Sequence, residues 1–110
     1  MSVSQAALDA LEQQAKALEA IAKQTLQDLN TVAGTERLTK WQAATTALLK
    51  QHGSEKIAMS FSLTKPGPSF TNDLVEEFSE DVDVYRNALK AARKAVETQL
   101  TAAAKAKPAG

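Results

Sequence analysis

Residues 74–100, LVEEFSEDVDVYRNALKAARKAVETQL, decide the fold class of this chain. Leu74, Phe78, Val82, Tyr85, Leu89, Ala92, Val96 and Leu100 recur at steps of four and three. That spacing draws one apolar stripe along a helix. Acidic residues (Asp73, Glu76, Glu77, Glu80, Asp81, Asp83) fill the first half. Arg86, Lys90, Arg93 and Lys94 fill the second. Both blocks complement the helix dipole, positive at its start and negative at its end. Thr71 or Asn72 is the expected cap.

The preceding stretch, HGSEKIAMSFSLTKPGPSF (52–70), reads differently. Ile57, Met59, Phe61 and Leu63 alternate with small or polar residues, the period of a half-buried strand. A lone strand leaves its backbone groups without partners, and no second strand candidate exists in the chain. The preferred reading is a short helical turn from a Ser54 cap to about Ser60. An extended strap from Phe61 to Ser69 follows it, stiffened by Pro66 and Pro68. The alternative pairs residues 57–63 of two chains across a dimer axis.

Upstream, two more helices are expected. The first runs from about Ser4, its N-cap, to Asn30. Its stripe is Leu8, Leu11, Ala15, Leu18, Ala22, Thr25 and Leu29, widened by Ile21 and Leu26. Gly34 is expected to take a left-handed conformation that stops this helix, with Thr35 capping the next. That second helix presents Leu38, Trp41, Ala44 or Thr45, and Leu48, with Leu49 beside them, and ends near His52 with Gly53 as its stop. The expectation is an all-α fold: a three-helix up-down-up bundle, with a short turn and an extended strap between its second and third helices. Residues 1–103 form one domain, and residues 104–110 form a flexible tail that frays once large apolar residues run out.

Composition narrows the function classes. The chain has 110 residues, 13 basic and 13 acidic side chains, and a formal net charge of zero, so it carries no global pull toward nucleic acid or anionic membrane. Alanine accounts for 21 residues, which leaves a thin core and closely approaching helices. With no cysteine, thiolate metal sites and cysteine nucleophiles are excluded. No apolar run is long enough to cross a membrane, and the start lacks a signal-peptide pattern, which points to a cytoplasmic protein.

Candidate chemistry is sparse. The acidic helix 73–83 invites a metal-dependent enzyme, since Asp73, Glu77 and Glu80 share a face. Yet Glu-x-x-His pairs and the EF-hand glycine are missing, and a solvated acidic face is the plainer reading. His52, the one histidine, has no orienting carboxylate or nucleophile pattern beside it and suits a helix end. There is no phosphate-cradling glycine loop, so no cofactor and no small-molecule substrate are expected. Lys90, Arg93, Lys94, Lys105 and Lys107 lack interleaved aromatics, which makes the last helix a weak nucleic-acid binder at most. Trp41 lies on the apolar side of its helix and belongs by default to the core, with an interface anchor as the alternative.

The segment GTERLTKWQAATTALLKQHGSEKIAMSF places Trp41 mid-helix, then Leu48 and Leu49, then a Gly53–Ser54 turn before Phe61. Over residues 35–100 this resembles the helical N-terminal accessory region of assorted bacterial proteins of unknown or defence-related function. The resemblance implies an interaction region and transfers no catalytic residue. Together these readings predict a bacterial, non-enzymatic helical module that binds a protein partner or itself as a homo-oligomer. Its candidate interface is Trp41, Ile57, Met59, Phe61 and Leu63.

Overall fold

A computed structural model describes residues 5–52 and 54–106. The expected cap at Ser4, the stop at Gly53 and tail residues 107–110 lie outside them. The described residues are all-helical and contain no strand. Four helices follow in order: α1 (Gln5–Asp28), α2 (Thr31–His52), α3 (Glu55–Ser62) and α4 (Leu74–Ala106).

The α1–α2 break falls earlier than expected, and Gly34 is not its cause. Leu29 makes the turn, with φ of 56°, while its N–H donates to the Thr25 carbonyl at 2.8 Å. Asn30 then caps α2. Its side-chain oxygen accepts from the Ala33 N–H at 3.1 Å, and its carbonyl accepts from the Gly34 N–H. Gly34 therefore lies in the first turn of α2, buried, where a Cβ would stand 2.6 Å from Thr25 Cγ2 and 2.7 Å from Phe78 Cε1. It is glycine because α1, α2 and α4 meet there with no room for a methyl group.

Residues 57–63, read by their alternation as strand-like, lie mostly within α3. The Ser54 hydroxyl accepts from the Lys56 and Ile57 N–H groups, as a capping serine does. At the other end, the Gln42 side-chain amide donates to the Phe61 and Thr64 carbonyls at 3.1 and 2.8 Å, tying the last turn of α3 and the residue beyond it to α2. The short helix is thus set at both ends, and residues 64–73 form the extended connector. At α4 the cap is Asp73, one residue past the expected pair. Its carboxylate accepts from the Val75 and Glu76 N–H groups, and Thr71 Oγ1 accepts from its own N–H.

The topology corrects the three-helix up-down-up expectation. α1 and α2 are antiparallel, since Gln14 meets Thr45 and Arg37 meets Thr25. α4 runs against α1, with Leu26 beside Phe78 and Glu19 beside Arg86. It is therefore parallel to α2, and Trp41 packs on Tyr85 at a ring separation of 6.0 Å. The reason is the return path. α3 climbs back along α2 to the level of Gln42, roughly 12 Å at 1.5 Å per residue. The connector carries the chain onward before α4 begins. Together they stand in for a full third helix, giving an up-down-up-down order in which the third member is short.

The core follows the α4 stripe closely: Phe78, Val82, Tyr85, Leu89, Ala92 and Val96 are buried. On α2 the buried set is Gly34, Leu38, Trp41, Thr45 and Leu49: of the expected pair Thr45 is the buried one, and Leu49 takes the central place expected of Leu48. On α1 it is Ala7, Leu11, Leu18 and Thr25. The molecule measures 60 × 23 × 16 Å, the long thin core that 21 alanines dictate. α4 continues to Ala106, past the expected domain boundary at residue 103.

Candidate interaction surface

Of the five side chains proposed from sequence, Trp41, Ile57 and Phe61 lie in the core, 4%, 7% and 3% exposed. The Trp41 ring sits edge-on to Phe61 at 5.7 Å, and its indole N–H donates to the Gln14 carbonyl at 2.8 Å. The same Gln14 sends its amide to the buried Thr45 hydroxyl at 2.7 Å, so one glutamine on α1 locks two core positions of α2. Within a single chain these three residues serve packing. Met59, on the outer side of α3, and Leu63, just past its end, are both well over half exposed.

The larger unburied apolar group lies elsewhere. Leu26, Leu29, Val32, Phe70 and Leu74 are all exposed. The topology brings them to one end of the bundle, where α1 finishes, α2 starts and the connector enters α4. Leu29 and Leu74 sit on the predicted stripes, but those stripes outrun the helices that cover them. Val32 faces away from the core side of α2, about 200° round from Gly34. Phe70 is 98% exposed. It nevertheless stands on a fixed segment: Ser69 Oγ donates to Glu80 at 2.9 Å, and Thr71 Oγ1 donates to Glu76 at 3.2 Å. Pro66 and Pro68 precede it.

Leu29 is the informative member. At φ of 56° a leucine costs about 1–2 kcal/mol relative to the right-handed region, and glycine or asparagine is the ordinary occupant. Burial does not offset that cost, because the side chain is 64% exposed. Sequence reasoning missed this position, since Leu29 continues the α1 stripe and reads as core. Val32 and Phe70 carried no periodic signal at all.

Several charged residues have structural partners. Arg86 holds Glu19 through two hydrogen bonds, at 2.7 and 2.8 Å, and also pairs with Asp83. The bonds from Arg86 hold the Glu19 carboxyl below the usual carboxylate range and raise the guanidinium in turn. Burial pushes the Asp81 carboxyl up, and the neighbouring Glu77 and Glu80 charges push it further. The Tyr85 hydroxyl is raised by burial and then by Asp81. In the acidic block, Asp73 caps α4, while Glu76 and Glu80 hold the connector hydroxyls. Among the described residues no three His, Asp or Glu side chains stand close enough to share a metal ion. No helix there is long and apolar enough to cross a membrane.

No protein-family model, curated protein or solved structure matches this chain.

Proposed function

We propose that this chain is a non-enzymatic helical protein–protein interaction module that uses the apolar end of its bundle. The observation that carries the reading is Leu29. Its backbone makes the α1–α2 turn, which glycine or asparagine would make at less cost, and its exposed leucine side chain adds no burial, so the use of that side chain lies with something outside. Its neighbours at that end, Val32 and Leu74, are exposed as well. A role as an accessory region beside effector proteins in bacteria, which the resemblance over residues 35–100 implies, fits a surface of this kind.

The test separates stability from binding. A photo-crosslinking residue at Val32 should trap one defined protein in the native host. A crosslinker at Lys23, exposed on the polar side of α1, should not. Leu29→Asn should relieve the left-handed strain and raise stability by up to about 1 kcal/mol, while reducing the Val32 crosslink. Equal, diffuse labelling from both crosslinker positions would remove the interaction surface from this end.

A further inference from the structure

α3 is too short to cover the second half of α4. An open groove of about 630 Å³ is left between them, walled by Ser60 and Thr64 on one side and Ala88, Ala91 and Ala95 on the other. Ile57 and Phe61 form its floor, and Lys56 and Lys94 stand at its rim. The groove is apolar within and basic at the edge. The same chain carries the complementary shape elsewhere: the exposed Phe70 ring and Leu74, beside the acids Glu76, Glu77 and Glu80. The two features are roughly 30 Å apart along α4, so one copy cannot fill its own groove.

Building on the interaction-module reading, we infer that the groove receives the Phe70–Leu74 corner of a second copy, in a two-fold pair with the α4 helices antiparallel. Charge selects this occupant. From Glu76 to Asp83, α4 has five acids and no base; from Arg86 to Lys94 it has four bases and no acid. Arg86, Lys90 and Arg93 stand on the α1 side of α4, so the contact falls to Lys56 and Lys94 at the groove rim: an antiparallel second α4 brings Glu76, Glu77 and Glu80 of its corner to them, twice by symmetry, whereas a parallel one brings its own Lys94. Shape selects it too. Phe70 is held by the Ser69–Glu80 and Thr71–Glu76 hydrogen bonds and by the two prolines before it, so docking it orders little new chain. The alanine wall admits a bulky ring without displacing anything.

The experiment is light scattering after gel filtration across a wide concentration range. The expected result is twice the 11.7 kDa of one chain. Phe70→Ser changes only an exposed side chain, so helicity and the melting of the dilute monomer should stay unchanged while the dissociation constant rises at least about tenfold. Because the chain has no cysteine, the geometry can be trapped directly. Asn72→Cys and Ala95→Cys chains, which keep Phe70, should on mixing under mild oxidation form the heterodimeric disulfide faster than a Val32→Cys and Ala95→Cys mixture. A monomer at every concentration, a dimer indifferent to Phe70→Ser, or equal trapping rates would each overturn the inference. A monomer would leave the Val32 crosslinking test of the interaction module untouched.

Discussion

Gly34→Ala tests the closest contact in the bundle. In an exposed helix interior this change stabilises by about 1 kcal/mol, because glycine has the greater freedom to lose. Here the added methyl group would stand 2.6 Å from Thr25 Cγ2, 2.7 Å from Phe78 Cε1 and 2.8 Å from Thr25 Oγ1. Neither neighbour is a loose side-chain end. Thr25 is β-branched and 1% exposed, and Phe78 is 2% exposed. Overpacking of this kind costs about 1–3 kcal/mol, with the upper part of that range expected where three helices must part. The net loss is about 1–2 kcal/mol, and roughly 4–8 °C in melting temperature for a domain of this size. Thermal and urea melts followed by circular dichroism measure it. Gly67→Ala is the control: nothing lies within 4 Å of the position. Its neighbour Pro68 already favours extended backbone, so that change should be neutral or slightly stabilising. Adding Thr25→Ser to Gly34→Ala removes the nearest clashing atom and should recover part of the loss, more than additivity allows. A Gly34→Ala chain as stable as the original would refute the close approach, and with it the placing of α4 against the α1–α2 hairpin.

Trp41→Phe removes the indole donor to Gln14 and part of a buried ring, and should cost about 2 kcal/mol in urea melts. Tryptophan emission should be blue-shifted and shielded from acrylamide in the original chain, since Trp41 is 4% exposed. The Glu19–Arg86 pair is bidentate but partly solvated, so Glu19→Gln should lower stability at neutral pH by no more than about 1 kcal/mol. Glu19's folded pKa is depressed, so this contribution is present above the unfolded value and is lost as pH falls through the folded one. The Glu19→Gln deficit should accordingly persist through the ordinary glutamate range and shrink only in more acid solution, as Glu19 becomes protonated in the folded chain. Asp81 has the opposite sign. Its folded pKa is raised, so its ionised form is a burden above that value and the burden disappears on acidification. Asp81→Asn should stabilise at neutral pH by about 0.3 kcal/mol, the scale of one i,i+4 repulsion with Glu77, and confer nothing in acid.

Local pattern was enough for α4 and α3. The α4 stripe is long, regular and supported by its charge blocks, and six of its eight named positions are buried. α3 was signalled by Ser54, whose hydroxyl outweighs the accidental alternation of Ile57, Met59, Phe61 and Leu63. Helix direction was not legible, because it depends on how far α3 and the connector travel, and a connector of ten residues fits either choice. The candidate surface was hidden for a related reason. A stripe shows which side of a helix is apolar, but not where its covering neighbour stops. Leu74 and Leu29 lie on stripes and past their neighbours' ends, so the same pattern that marks core elsewhere marks exposed surface there.

Leu29 and Gly34, five positions apart, exchange the roles that their residue types suggest. The sequence offers one glycine near the turn, and local rules assign it the left-handed position. The structure puts a leucine there, at φ of 56°, and keeps the glycine inside a helix, where its helix propensity is poor. Each choice is locally unfavourable by about 1 kcal/mol. For Gly34 the compensation is visible within the chain: Thr25 and Phe78 occupy the space a side chain would need, and they come from elements 9 and 44 residues away. For Leu29 burial does not compensate, because its side chain is 64% exposed, at the end of the bundle where Val32 is exposed as well. The two anomalies therefore divide cleanly. One is explained by packing within the fold, and restoring a standard residue there should damage the protein. The other is not, and restoring a standard residue there should stabilise the protein while weakening its hold on a partner.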